Sequence, residues 1–422
     1  MNLALWPRRC PIPRDLAAVT TRSAADLAVT DRDLARLGTS RAGVEAVWSA
    51  ALALYRAGLH PALALCIRRR GEVVLDRAVG HARGGGPDDP PGGPRVLATP
   101  DTPFCIFSAS KAITALVVHH LDQVGALHID DRVAHYVPEF ARHGKAETTI
   151  RHVLSHRAGI PTAAMSDPDA LLDWDRVVRL LCEARPASTP GRKLAYHAIT
   201  GGFVLGEVVR RATGHDLRHW LREAFTGPLG LADALDYGAP PARQADVARN
   251  AFTGRPPAFP LSLIVQRALG VSLAQAVEIS NDPRWLGALV PSGNIVATAD
   301  AVCRFYAALL EQGRPGAVQV TDPRVIARAC TESSYLQLDS TLGLPVRYGL
   351  GMVLGAPVLS PFGPGTPRAF GHMGFMHIMT WADPDRALAA ALLDTGKPFV
   401  GLHLRHVWGV LSAISRAFPT PG

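Results

Sequence analysis

Residues 102–125 read TPFCIFSASKAITALVVHHLDQVG. An extended apolar run from Thr102 to Phe107 gives way at Ser108 to a helical pattern that Gly125 closes. Ser108 and Lys111 are three apart, so on a helix they share a face, and a hydroxyl meets an amine at the first turn. An alcohol is a poor nucleophile until a base takes its proton. Lysine, with an unperturbed pKa of about 10.4, becomes such a base when burial and the positive potential of a helix N-terminus favour the neutral amine. The chain has only four lysines, Lys111, Lys145, Lys193 and Lys397, and otherwise uses arginine, which stays protonated and could not do this work. A serine three residues before one of four lysines still arises by chance roughly one time in four, so the pair needs its context.

On the N-terminal side, Val44 to Tyr55 carries helical periodicity up to Gly58. Ala62 to Arg69 and Glu72 to Val79 flank Arg70-Gly71 as an antiparallel hairpin would, and a Gly/Pro/Asp tract, Gly84 to Pro94, reads as a surface insertion. On the other side, Thr149 to Leu154 forms a short helix before the turn Arg157 to Pro161. Patterns from about 160 to 290 are mostly helical, Met376 to Ala382 and Ala387 to Leu393 make a second hairpin about Asp383-Pro384-Asp385, and Leu402 to Phe418 reads as a terminal helix. The expected class is α/β (α+β): an antiparallel sheet flanked by helices, with an inserted helical lobe. Its parts are an N-terminal extension at 1–43, an α/β lobe built from 44–150 and 290–422, and a mostly helical lobe at 151–289.

A chain of 422 residues, 48% hydrophobic and 19% charged, can bury a large core. The net charge of +8 comes from short clusters such as Arg68, Arg69 and Arg70 without interleaved aromatics, so nucleic acid is not an expected partner. Six cysteines without CxxC spacing argue against a zinc knuckle or a disulfide scaffold and fit a reducing, cytoplasmic compartment. The leading run of Met1 to Trp6 is broken by Pro7, Arg8 and Arg9 before it reaches signal-peptide length, and no stretch is long enough for a membrane span. No cofactor or metal is expected, and the oligomeric state is left open.

Taken together, Ser108 to Lys111, Thr149 to Pro161 (TIRHVLSHRAGIP), Pro291 to Phe305 (PSGNIVATADAVCRF) and Phe370 to Asp385 (FGHMGFMHIMTWADPD) resemble the serine β-lactamase and penicillin-binding-protein superfamily. The similarity is to class C β-lactamases, serine D-peptidases and family VIII carboxylesterases, from about residue 45 to the end. It implies that S-x-x-K is the first of three motifs, with Ser108 the nucleophile and Lys111 its base. The second motif, Y-x-N, is matched by Tyr196-His197-Ala198, in which the tyrosine is kept and the asparagine is not. Tyr196 would then act as a phenolate base or pass a proton to the leaving group. The third, K-T-G, is matched by His372-Met373-Gly374, expected on an edge strand beside the nucleophile. The resemblance further implies an oxyanion hole from the N–H groups of Ser108 and Phe375, with His372 and Gly374 lining the substrate site.

Competing readings lack residues to work with. His152 and His156 are four apart but lack the glutamate of H-E-x-x-H, there is no G-x-S-x-G elbow, and Gly349-Leu350-Gly351 lacks the third glycine of a dinucleotide loop. Ser110 is only one residue from Lys111 and faces elsewhere. A neutral His372 and an Ala198 favour neutral, partly apolar acyl groups, with Met373, Phe375, Met376 and Met379 forming an adaptable wall. The expected activity is that of a serine hydrolase on a small ester or amide, foremost a carboxylesterase. The alternatives are a β-lactamase or D-aminopeptidase, and, prompted by the altered motifs and by Ile378, a binding protein of the same fold without turnover.

Overall fold

The computed structural model describes residues 8–162, 168–259, 262, 266, 270–335, 337–399 and 401–420. The leading apolar run at 1–7 lies outside the described residues. Two hairpins build the main sheet. β1 (Thr20–Arg22) is followed by β2 (Ala62–Arg69) and β3 (Glu72–Arg83), and the β2–β3 turn places Arg70 at φ 51° and Gly71 at φ 80°. Positive φ at both central residues matches the right-handed twist of the flanking strands. After β4 (Val96–Leu97), β5 (Phe104–Cys105), β6 (Leu235–Tyr237), β7 (Ile295–Ala297), β8 (Leu338–Asp339), β9 (Leu344–Pro345), β10 (Val353–Leu354) and β11 (Phe370–Met373) comes the second hairpin, β12 (Met379–Asp383) and β13 (Leu388–Asp394). The sheet is antiparallel in the order β1-β3-β2-β13-β12-β11-β10, with β4 beside β3. The two ends of the chain therefore meet at the β2–β13 seam, where Leu392 pairs with Leu65 and Ala390 with Ile67. The expected class, an antiparallel sheet flanked by helices with further helices between its halves, is the one observed.

β11 is not an edge strand as expected. It pairs with β12 on one side and with the two-residue β10 on the other, but β10 reaches only Phe370 and Gly371, so the His372–Met373 end runs on beyond it. The N-terminal residues, which show no period in sequence, add β1 beside β3 and bury Leu34 and Leu37 in the core.

Strand alternation sorts the core into two layers. Leu63, Leu65, Ile67, Leu388 and Leu392 face the helices Arg41–Arg56 and Leu404–Ala417. The opposite faces of β2 and β13 carry smaller residues, Ala62, Ala64, Cys66, Ala389 and Ala391, against the helix Ala299–Glu311. Large side chains fill space under two amphipathic helices, and small ones let a third lie close to the sheet.

The nucleophile region hangs from this second layer. β5 pairs with β7, a single 3₁₀ turn spans Phe107–Ala109, and the helix Ser110–Gln123 follows. From Ser110 to Leu121 that helix is buried everywhere but at His120, so packing rather than helix propensity fixes its first turn. It meets the helix Thr200–Thr213 across the loop Pro291–Asn294, whose Asn294 side chain is tied to Val290 N–H and to the carbonyls of Trp285 and Ala288.

Gly202 marks the closest point of that junction, because a Cβ there would lie 2.3 Å from Ser292 Oγ and 2.6 Å from Ser292 N. Gly202→Ala is expected to push the loop from the helix at a cost of roughly 1–3 kcal/mol. Thermal unfolding beside kcat should show a lowered Tm together with lost turnover, whereas an unchanged Tm would show that the two elements are not in contact.

Candidate active site

Ser108 sits at the centre of the 3₁₀ turn, after Phe107 at φ 47°. A bulky residue in the left-handed region is strained, and such strain persists only where the surroundings hold it. Here the Phe107 ring packs on Phe375, with centroids 5.2 Å apart, and Lys397 Nζ lies 5.0 Å from its centre. Ser108 itself is partly exposed.

Lys111 is buried, and its Nζ lies 3.0 Å from Ser108 Oγ and 3.0 Å from the Ser292 carbonyl that accepts its N–H. Burial drives its pKa well below the ordinary lysine value. No carboxylate among the described residues pairs with it, so burial favours the neutral amine, and its lone pair is available to the Ser108 hydroxyl. A cavity of ≈ 30 Å³ behind the amine, lined by Thr114, His156, His197 and Ser292, has room for a water but not for substrate.

Tyr196 arrives from the other side. Its ring centre is 4.9 Å from Lys111 Nζ, and its hydroxyl faces that of Ser108. Desolvation raises the phenol's pKa, and the contact with Ser108 offsets part of this, so the hydroxyl keeps its proton at neutral pH. Tyr196 N–H donates to Asp339 Oδ1 at 3.1 Å, and the same carboxylate accepts Tyr348 Oη at 3.2 Å and the N–H groups of Thr341 and Leu342. His156, at φ 58°, places its ring 4.8 Å from Tyr196 and 5.0 Å from Tyr348, and its Nδ1 accepts His197 N–H at 3.2 Å. The Y-H-A segment is thus held from one side by the TIRHVLSHRAGIP stretch and from the other by Asp339.

His372 is buried beside these groups, 6.4 Å from the Tyr196 ring. Its Nδ1 lies 2.6 Å from the Met373 carbonyl, which can only accept, so Nδ1 carries the hydrogen and Nε2 is bare. Desolvation and the nearby Lys111 lower its pKa to about 3, leaving a neutral imidazole where a third-motif lysine would carry charge. Gly374 turns the chain with its N–H on Ile378 O at 2.8 Å, and a Cβ there would lie 2.4 Å from Ile106 O. That approach brings Phe375, one residue on, alongside the segment that carries Ser108.

All the residues singled out in the sequence, Ser108, Lys111, Tyr196, His372, Gly374 and Phe375, converge on one place. Ser110 does not compete, since it is fully buried and its Oγ accepts Ile295 N–H at 3.1 Å. His152 is likewise occupied, its Nδ1 accepting Thr149 N–H at the helix start. Sequence reading missed three participants: Ser292, Asp339 and the positioning role of His156. Ser292 acts through its carbonyl on Lys111, while its Oγ accepts Gly202 N–H and donates to Ile199 O. Main-chain groups leave no residue-type signal, although the resembling PSGN stretch marks the loop.

A protein-family profile described as Beta-lactamase matches residues 52–409. Esterase/beta-lactamase LipL of Mycobacterium tuberculosis is 30% identical over 308 residues, 69% of either chain. Esterase EstB of Burkholderia gladioli is 28% identical over 362 residues, 80% of this chain and 86% of that one. Among solved structures, a penicillin-binding protein homolog from Caulobacter crescentus is similar with TM-score 0.75 and 28% identity over 89% of this chain and 97% of its own. A family VIII carboxylesterase follows with TM-score 0.74 and 26% identity, covering 87% and 96%. With most of its length matched and a serine, lysine and tyrosine assembled at one seam, the chain belongs to the beta-lactamase family and is a serine hydrolase.

Proposed function

We propose that this hydrolase is a carboxylesterase acting on small, uncharged, partly apolar esters through an acyl-enzyme on Ser108. The observation that carries the reading is the neutral, buried His372 at the third motif. A lysine there would attract the carboxylate of a β-lactam or peptide, whereas a bare imidazole nitrogen does not. Ala198, where an asparagine would offer an amide to an acylamide substrate, points the same way, as does the apolar character of Met373, Phe375 and Met376 after the third motif's histidine. The similarity to the esterases LipL and EstB and to the family VIII carboxylesterase supports it.

In the first half-reaction Ser108 Oγ bonds to the ester carbonyl carbon while its proton passes to Lys111 Nζ. Negative charge on the carbonyl oxygen is met by the N–H groups of Ser108 and Phe375, donors usually worth a few kcal/mol each. Breaking the carbon–alkoxide bond sends the Tyr196 proton to the leaving oxygen, and the Lys111 ammonium restores it. Water then attacks the acyl carbon, its proton going to Lys111, and Ser108 leaves with a proton returned to its oxygen.

A fluorophosphonate should label Ser108 and no other residue, as mapped by peptide mass. Short-chain p-nitrophenyl esters should turn over far faster than nitrocefin, with Ser108→Ala lowering ester turnover by at least about 10³-fold and Tyr196→Phe by about 10²–10⁴-fold. Labelling at another site would remove the mechanism, and nitrocefin turnover equal to that of esters would make the protein a β-lactamase.

The pH dependence follows from Lys111. Attack needs the free amine, so kcat/KM should rise with pH through the depressed lysine pKa and reach its plateau below the ordinary 10.5. His372, at about 3, contributes no limb between pH 5 and 8. A profile still rising at pH 10, measured with a substrate stable there, would show that Lys111 is charged at rest.

A further inference from the structure

Near Phe107, whose ring centre lies 5.0 Å from Lys397 Nζ, three buried side chains from distant parts of the chain converge. His60 precedes β2, His377 lies in the loop between β11 and β12, and Asp394 ends β13. One ligand atom from each lies within 4.8 Å of the others. We propose that His60, His377 and Asp394 form a binding site for a divalent transition-metal ion, Zn²⁺ in particular.

Unmet hydrogen-bonding capacity is the main reason. Among the described residues, both ring nitrogens of His60, Nδ1 of His377 and Oδ2 of Asp394 are buried without a hydrogen-bond partner. Even the approach of His60 Nδ1 to Asp394 Oδ1 is only 3.5 Å. Buried polar atoms are almost always hydrogen-bonded, so four orphans in one cluster is an unusual concentration, and a single ion would engage one atom from each of the three residues. Two nitrogens and a carboxylate oxygen are a common zinc set, with a fourth position left for water. Ligand atoms on a tetrahedral zinc are about 3.3–3.4 Å apart, so closing from at most 4.8 Å takes up to about 1.5 Å, within the reach of imidazole rotation and a small shift of the chain.

The far sides of the same groups are already held. His377 Nε2 lies 3.1 Å from His403 Nε2, which leaves Nδ1 turned inward. Lys397 Nζ donates to Asp394 O at 2.7 Å and Oδ1 at 3.0 Å, which leaves Oδ2 free. Ligands oriented by an outer partner in this way are the usual construction of a metal site. The Lys397 ammonium opposes a second cation, so the carboxylate must bridge the two charges, and binding is weaker than at an all-cysteine zinc site. An ion here would tie together the ends of β2 and β13 and the loop that carries Phe375. It lies outside the group of Ser108, Lys111 and Tyr196 and braces the site without entering the chemistry. The proposal does not rest on the esterase reading.

The experiment is titration of the chelator-treated full chain with Zn²⁺ alone, by calorimetry and by Tm, followed by Co²⁺ substitution read in the visible spectrum. One equivalent should bind, Tm should rise, and Co²⁺ should give the intense bands of tetrahedral coordination. His60→Gln and His377→Gln should each weaken binding at least tenfold. Asp394→Asn strands Lys397 and can unfold the protein, so the histidine variants decide. No binding at 1 mM Zn²⁺ would overturn the proposal. So would binding unchanged in both histidine variants but lost on replacing the exposed, stacked His215 and His219.

Discussion

Everything at the site depends on keeping the Lys111 ammonium out of water. In solvent the amine would be protonated and useless as a base, but buried beside the neutral His372 and the phenol of Tyr196 it has, among the described residues, no carboxylate to hold its charge. The fold bears the cost. Because the folded pKa lies below the unfolded one, the unfolded chain binds more protons in the interval between them. Stability attributable to this group is therefore complete above the ordinary lysine pKa, falls as pH drops through that interval, and levels off below the folded value. The protein gives up stability at neutral pH to hold a reactive amine.

A buried amine is useful only if the hydroxyl stays beside it. Ser292 fixes one end, its carbonyl on Lys111 and its hydroxyl on the helix that follows Tyr196. Phe107 fixes the other, its strained backbone held by the Phe375 ring and by close packing under the sheet. Tyr196 takes its place from the main chain through Asp339 rather than from its own hydroxyl, which stays free to move a proton. Reactive groups are thus held by positioning groups mainly through backbone, at the Ser292 carbonyl and the Tyr196 N–H, with the His156 ring packed on Tyr196 as well.

The parts of this arrangement that sequence reveals are those set locally. Ser108 and Lys111 sit three apart on a buried helix, and both hairpins are announced by turn residues between apolar runs, so their geometry follows from spacing. The neutrality of His372 was legible from residue type, and its cause, burial beside Lys111, was not. Ser292 acts through a carbonyl, Asp339 is separated from Tyr196 by 143 positions, and β10 is too short to show any period, which is why β11 was expected at the edge. His60, His377 and Asp394 are scattered in the chain and meet only because β2 and β13 are neighbours at the central seam.

The charge state of Lys111 can be observed directly. With only four lysines in the chain, ε-¹³C-lysine labelling gives a spectrum simple enough to follow by pH, with the Lys111 resonance identified by its loss in Lys111→Met. The account predicts that this resonance has the shift of a neutral amine at neutral pH and titrates well below 10.5 in the folded protein. A Lys111 resonance that stays in the ammonium position until pH 10 would contradict it.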